Sequence, residues 1–236
     1  MRVGGRLFDL DREPAGMDRG RAYHPGRMPK LIDLDLRNFG QRLADKTATP
    51  GGGSVAAHLA QLGAGLVAMA CRFSTGPKFA GVEESMIRRA GELDRLRSEA
   101  LSLVDRDSAA YDSVSAAFGL SKSTDAEKAA RTAAIQAATR TALEVPLETI
   151  EVGVAILRVA AEAAPAINKN LASDCASGAW CLRSAAEAAL LNVRINAGSL
   201  SDKAFASERL GRAERLTSEA RGLAESVRTV AETLLA

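Results

Sequence analysis

From Leu34 onward apolar residues recur at three- and four-residue spacings rather than alternately, on a background rich in Ala, Leu, Glu and Arg. That is the period of the α-helix. Val, Ile and Thr do not gather into short runs bounded by turns, so no strand is predicted. The expected fold class is all-α: a single-domain multi-helix bundle with a buried central helix.

The spacing predicts a first helix over about Asp35–Lys46, with Leu36, Phe39 and Leu43 on one face. A second, about Ser54–Phe73, carries no Asp, Glu, Lys or Arg before Arg72 and reads as buried on all sides at the centre. Its small residues Ala56, Ala57, Ala60, Gly63, Ala64 and Ala68 allow close helix contacts. Ser74-Thr75-Gly76-Pro77 breaks the pattern, and a charged segment from Val82 to Phe118 follows, turning Leu93, Leu96, Leu103 and Val104 inward. Thr124-Asp125-Ala126-Glu127 is a capping box that starts a helix to about Leu143. Pro146 suits the first turn of a further helix to about Ala163. After the break at Ala164 to Asn170, Ser173 or Asp174 caps a helix reaching Asn196, and Ser201 or Asp202 opens a last one to Leu235.

Composition narrows the function classes. Among 236 residues, 31 Lys and Arg stand against 29 Asp and Glu, and aromatic residues make up 4%, which argues against a nucleic-acid surface. No stretch of about 18 apolar residues runs unbroken and no signal-peptide core begins the chain, so no membrane association is expected and the location is expected to be cytoplasmic. Cys71, Cys175 and Cys181 form neither an even disulfide set nor a zinc-type pair, and read as small core residues in a reducing compartment; Trp180 is also expected in the core. Residues 1–30 mix Gly, Pro, Arg and Asp without periodicity and are expected to be a disordered N-terminal extension, with Met28 a candidate true start; the helical domain is expected over 31–236.

The segment with the clearest chemistry is Thr49-Pro50-Gly51-Gly52-Gly53-Ser54, leading into the second helix. Three glycines let backbone approach a ligand, Ser54 is a natural helix cap, and the first helical amides point at an anion or oxyanion. The same pattern also serves a plain sharp turn. No Ser-His-Asp arrangement and no metal-ligand spacing is present, so neither metal nor cofactor is expected.

The loop resembles the opening motif of the cyclodeaminase/cyclohydrolase family, which includes the C-terminal domain of formiminotransferase-cyclodeaminase. Further stretches match in order: Asp105 to Tyr111, Glu144 to Glu148, Asn170 to Asp174, and Leu191 to Asn196. The resemblance implies a helical, dimeric enzyme acting on a reduced folate, with nothing needed beyond that tetrahydrofolate substrate. It assigns Asp174 to the reacting centre as proton shuttle, with Asp107 a second candidate carboxylate. Substrate-binding candidates are Gly51, Gly52, Gly53, Ser54, Lys78, Asn170, Ser173, Asn192, Arg194 and Asn196. The competing readings are a helix cap for Asp174, a solvated acid for Asp105, helix-end charge for Arg194, a loop cation for Lys169, and a satisfied structural histidine for His58. Where the family has a basic run, this chain has Pro77, Lys78 and Phe79. Two reactions remain: hydrolysis of 5,10-methenyltetrahydrofolate to 10-formyltetrahydrofolate, or cyclodeamination of 5-formiminotetrahydrofolate with release of ammonia. The absence of a formiminotransferase domain within the 236 residues favours the cyclohydrolase. The alternative from another class is a non-catalytic folate-binding helical protein.

Overall fold

The computed structural model describes residues 30–236; residues 1–29, including the expected extension and Met28, lie outside the described residues. The described chain forms an all-α bundle of six α-helices with no strand: α1 (Leu36–Ala44), α2 (Gly52–Arg72), α3 (Glu83–Phe118), α4 (Asp125–Ala163), α5 (Ala172–Ser199) and α6 (Lys203–Leu235).

Local chemistry sets several of the ends. At α4 the Thr124 hydroxyl accepts the Glu127 amide, while the Glu127 carboxylate accepts the Thr124 amide, closing the predicted capping box. Asp35 caps α1 by accepting the Asn38 amide, and Asp202 caps α6 by accepting that of Phe205. Asp105, expected as a solvated acid, instead accepts the backbone amide of Leu31 at 2.7 Å and ties the start of the fold to α3.

Pro146 departs from expectation. It does not open a new helix but lies buried inside α4, which runs unbroken for 39 residues. A proline has no N–H for the carbonyl four residues back, here Ala142. The Nδ2 of Asn196 on α5 donates to that carbonyl at 2.7 Å. A neighbouring helix thus supplies the missing donor, and α4 passes through.

Helix α2 occupies the centre, packed against α3, α5 and α4. It is apolar and long enough, by length and composition, to cross a membrane, with a mean hydropathy of 1.5, yet its small-residue face is covered by these three helices. Close approach is explicit at one crossing: a Cβ on Gly63 would lie 2.7 Å from the Gly178 carbonyl oxygen of α5. Leu93, Leu96, Leu103 and Val104 of α3 are buried as predicted. Cys71 and Cys175 are free and buried, and burial pushes their thiols up to about 11 and about 12. Partly exposed ion pairs such as Arg158 with Glu219 and Arg221 with Glu187 join helices at the surface, where solvent screens them and they add little to stability.

Three apolar features face outward instead of inward. One stripe of α2, including Leu62 and Phe73, is left uncovered. Trp180 on α5 is half-exposed, and Leu36 on α1 is 84% exposed. No residue of α1 is buried; its Phe39 ring rests 5.2 Å from that of His58 on α2. Periodicity reports that such positions share a face, not that the same chain covers it.

Candidate functional site

The site is built from the first turn of α2. That helix begins at Gly52, two residues earlier than predicted, with Gly51 as its N-cap and no side-chain cap. Ser54 therefore does not cap the helix. Its Oγ donates to Oδ2 of Asp107 on α3 at 2.8 Å. Gly53 lies directly beneath the same carboxylate: a Cβ there would sit 2.1 Å from Oδ1 and 2.6 Å from Cγ of Asp107. Only glycine permits this approach. The Val55 amide starts the intrahelical ladder on the Gly51 carbonyl at 3.0 Å, so the earlier amides of the turn are left for other acceptors.

Asp107 faces a cavity of about 480 Å³. The cavity is floored by Thr49 and Gly51 to Gly53 and walled by residues of α3, α4 and α5. From α3 come Asp107, Tyr111, Val114 and Phe118; from α4, Ile135, Thr139 and Ala142; from α5, Asn192, Ile195 and Asn196. Asn192 packs beside the glycine turn, its Nδ2 3.8 Å from the place of a Gly52 Cβ and bonded to the Ala188 carbonyl at 3.0 Å. Asn196 is fixed at the wall by its bond to Ala142. Among the described residues, Asp107 is the sole charged side chain on the lining, which holds no Lys or Arg.

Burial raises the Asp107 carboxyl above its ordinary value, while the Ser54 hydroxyl and amide pull the other way. A carboxyl lifted in this manner exchanges a proton more readily near neutral pH. The adjoining amides of the α2 N-terminus favour negative charge on a bound group. A proton-transfer group and an oxyanion cradle thus share one cavity with a mostly apolar far wall.

The structure brings together Gly51, Gly52, Gly53, Ser54, Asp107, Asn192 and Asn196 of the predicted set. It does not bring Asp174, Ser173, Asn170 or Lys78 to them. Asp174 and Ser173 lie in the first turn of α5, which starts at Ala172, so neither is its N-cap. Asn192 follows Asp174 by 18 positions on the same helix, about 27 Å at 1.5 Å per residue. The loop before α5 is fastened to the far end of α2, where the Asn168 amide donates to Ser74 Oγ at 2.7 Å. Lys78 lies exposed on the 3-10 turn just beyond that end. The expected meeting of Asp174 with the triglycine turn therefore does not occur within one chain, because α2 and α5 run antiparallel and the two groups sit at opposite ends. Arg194 points away as well, pairing with Glu214 of α6 at 2.9 Å. Two positions from Asn192 and Asn196, it falls on another side of the helix. His58 lies outside the cavity lining, its Nδ1 3.4 Å from Gln61 Nε2. Among the described residues no cluster of three His, Cys, Asp or Glu could hold a metal ion.

Tyr111, Val114 and Phe118 were not singled out by sequence reasoning. Their spacing from Asp107 of four, seven and eleven is a helical stripe, and that signal was readable.

Residues 35–215 match the formiminotransferase-cyclodeaminase family, and the chain belongs to it. It is 38% identical to a methenyltetrahydrofolate cyclohydrolase of Methylorubrum extorquens, over 81% of this chain and 93% of that protein. It is 32% identical to the formimidoyltransferase-cyclodeaminase of Rattus norvegicus over 83% of this chain, spanning only 36% of that longer protein. The crystal structure of formiminotetrahydrofolate cyclodeaminase from Thermotoga maritima superposes with a TM-score of 0.78 at 26% identity, over 88% of this chain and 100% of that one.

Proposed function

We propose that this protein is a folate-dependent one-carbon enzyme, a methenyltetrahydrofolate cyclohydrolase, with Asp107 rather than Asp174 as its proton shuttle. The observation that carries the reading is the contact of Asp107 with Ser54 and Gly53 at the head of α2. The similarity to a cyclohydrolase across 93% of that relative supports the choice of reaction.

In the proposed reaction Asp107 accepts a proton from water as its oxygen attacks the methenyl carbon. The resulting tetrahedral carbon bears a hydroxyl between N5 and N10. The N-terminal amides of α2 stabilise charge on that oxygen. Asp107 returns its proton to N5 as the C–N5 bond breaks, and the hydroxyl proton leaves as the formyl C=O forms on N10. The sum is one water consumed and one proton released per methenyl cation. Tyr111 and Phe118, both half-exposed on the cavity wall, offer flat apolar surface to the folate rings. The scheme calls for no resident cofactor or metal.

The test is the loss of methenyltetrahydrofolate absorbance, followed with purified protein beside an enzyme-free control. Turnover above the control, abolished in Asp107→Asn, is the expected result. Release of ammonia from 5-formiminotetrahydrofolate without hydrolysis of the methenyl compound would reassign the chain as a cyclodeaminase. Binding of folate with turnover of neither would make it a non-catalytic folate-binding protein.

A further inference from the structure

The cavity follows α3 from Asp107 past Tyr111 and Val114 to Phe118. Phe118 lies eleven positions beyond Asp107, about 16 Å at 1.5 Å per residue. The other walls end at the same level, with Ile135 on α4 and Ser199 on α5. Gln136 of α4 fastens them there by donating to the Ser199 carbonyl at 3.2 Å. The carboxylate and the glycine turn thus hold one end of the cavity. The other end meets solvent beside the connection from α3 to α4, where Phe118 is 55% exposed.

Just beyond that outer end stands Arg131, half-buried and one turn before Ile135 on the same side of α4. Its Nε and Nη2 both donate to the Phe118 carbonyl, at 3.3 and 3.0 Å, and its guanidinium carbon sits 5.5 Å from the centre of the Phe118 ring. The side edge of the fork is therefore fixed against a residue of the cavity wall, while the Nη1 end is left free. Among the described residues no carboxylate pairs with it. The acid that helical spacing offers is Glu127, four positions earlier, but its carboxylate accepts the amides of Ser123 and Thr124 at 2.9 and 2.8 Å. Nearby Lys128 and Arg140 are by contrast paired, with Asp125 and Asp202. An oriented guanidinium with one open edge is suited to a carboxylate, whose two oxygens match its geometry.

A reduced folate carries its one-carbon bridge and its glutamate at opposite ends of a flat aminobenzoyl unit. With the bridge at Asp107 and that unit along Tyr111 and Phe118, the glutamate extends towards the outer end. We propose, resting on the reduced-folate reading above, that Arg131 is the specificity-determining residue that reads this end of the substrate, its Nη1 edge holding a glutamate carboxylate at the mouth of the cavity. Arg131 selects a glutamyl pteridine over one that stops at the benzoate. It acts on binding and does not touch the reacting carbon.

The test compares 5,10-methenyltetrahydrofolate with 5,10-methenyltetrahydropteroate, which lacks the glutamate. Wild type is expected to prefer the first in kcat/KM. Arg131→Gln should lower that preference about tenfold, the low end for a hydrogen bond to a charged group. The change should fall on KM for the glutamyl compound rather than on kcat, as removal of a contact common to ground and transition states requires. A displaced Phe118 wall would slow both compounds alike, so an unchanged preference in the variant, or a wild type without one, overturns the proposal. If Arg131→Gln fails to fold, the wild type alone decides. Its preference should fall as sodium chloride rises, because salt screens a carboxylate–guanidinium pair at the surface while both compounds carry the same cationic bridge; a preference indifferent to salt overturns the proposal. A wild type that turns over neither compound removes the enzymatic reading, and calorimetry with 5-formyltetrahydrofolate and 5-formyltetrahydropteroate then decides the role of Arg131. Tighter binding of the glutamyl compound, lost in Arg131→Gln or on addition of salt, upholds it. Equal binding of the two, or binding of neither, overturns it.

Discussion

Asn196 on α5 and Ala142 on α4 are joined by a 2.7 Å hydrogen bond that Pro146 makes necessary. The bond both carries α4 through a proline and pins a cavity-wall side chain. Asn196→Ala strands a carbonyl, at a cost of about 1–3 kcal/mol. In a Pro146→Ala background the restored amide serves Ala142 itself, so the same substitution should cost distinctly less. Urea denaturation of the four proteins measures the coupling, and equal costs in both backgrounds would refute it.

Asp107→Asn should lower kcat by about 100- to 10,000-fold, the usual range for a lost acid–base group. Its effect on stability has the opposite sign. A carboxyl raised by burial holds its proton more tightly folded than unfolded, so its ionisation weakens the fold as pH rises from the ordinary value of 3.8 through the raised one. The asparagine variant carries no such penalty. It should be at least as stable as wild type at neutral pH, with the difference vanishing below that window in thermal melts across pH.

Ser54→Ala removes a hydroxyl that favours the charged form of Asp107. The acidic limb of the kcat/KM profile should move to higher pH, because burial is then opposed by the backbone amide at position 54 alone. A limb that stays in place, or moves down, would separate that ionisation from Asp107.

Gly53→Ala inserts a methyl 2.1 Å from Oδ1 of Asp107. The carboxylate must swing away from Ser54, so activity should fall by a factor comparable to Asp107→Asn while the helical circular dichroism persists. Gly178→Ala tests the same kind of clash away from the site. Its Cβ would meet the Gly63 carbonyl oxygen at 2.9 Å, and overpacking of about 1–3 kcal/mol should appear as a lower melting temperature.

Much of the fold was legible where the chemistry is local. The Thr124 and Glu127 box, the Asp202 cap and the inward residues of α3 all act within a few positions of themselves. Pro146 was not, because the donor that rescues α4 arrives from Asn196, 50 positions along the chain. Leu36 and the α2 stripe look in sequence like any core face; whether a stripe is covered by its own chain depends on packing that periodicity does not carry. At the site, the glycine turn and Asp107 were both visible as chemistry, yet nothing local said that they touch. Asp174 could have been excluded as an intrachain neighbour by length alone, since Asp174 and Asn192 sit near opposite ends of one 28-residue helix.

The lone carboxylate on a lining without bases has a consequence for traffic through the cavity. In the proposed reaction the methenyl substrate arrives as a cation at its one-carbon bridge, drawn to Asp107 by simple attraction. Once hydrolysed, that bridge is a neutral formamide, and the attraction is gone. Turnover thereby neutralises the bridge beside Asp107 and loosens its own product.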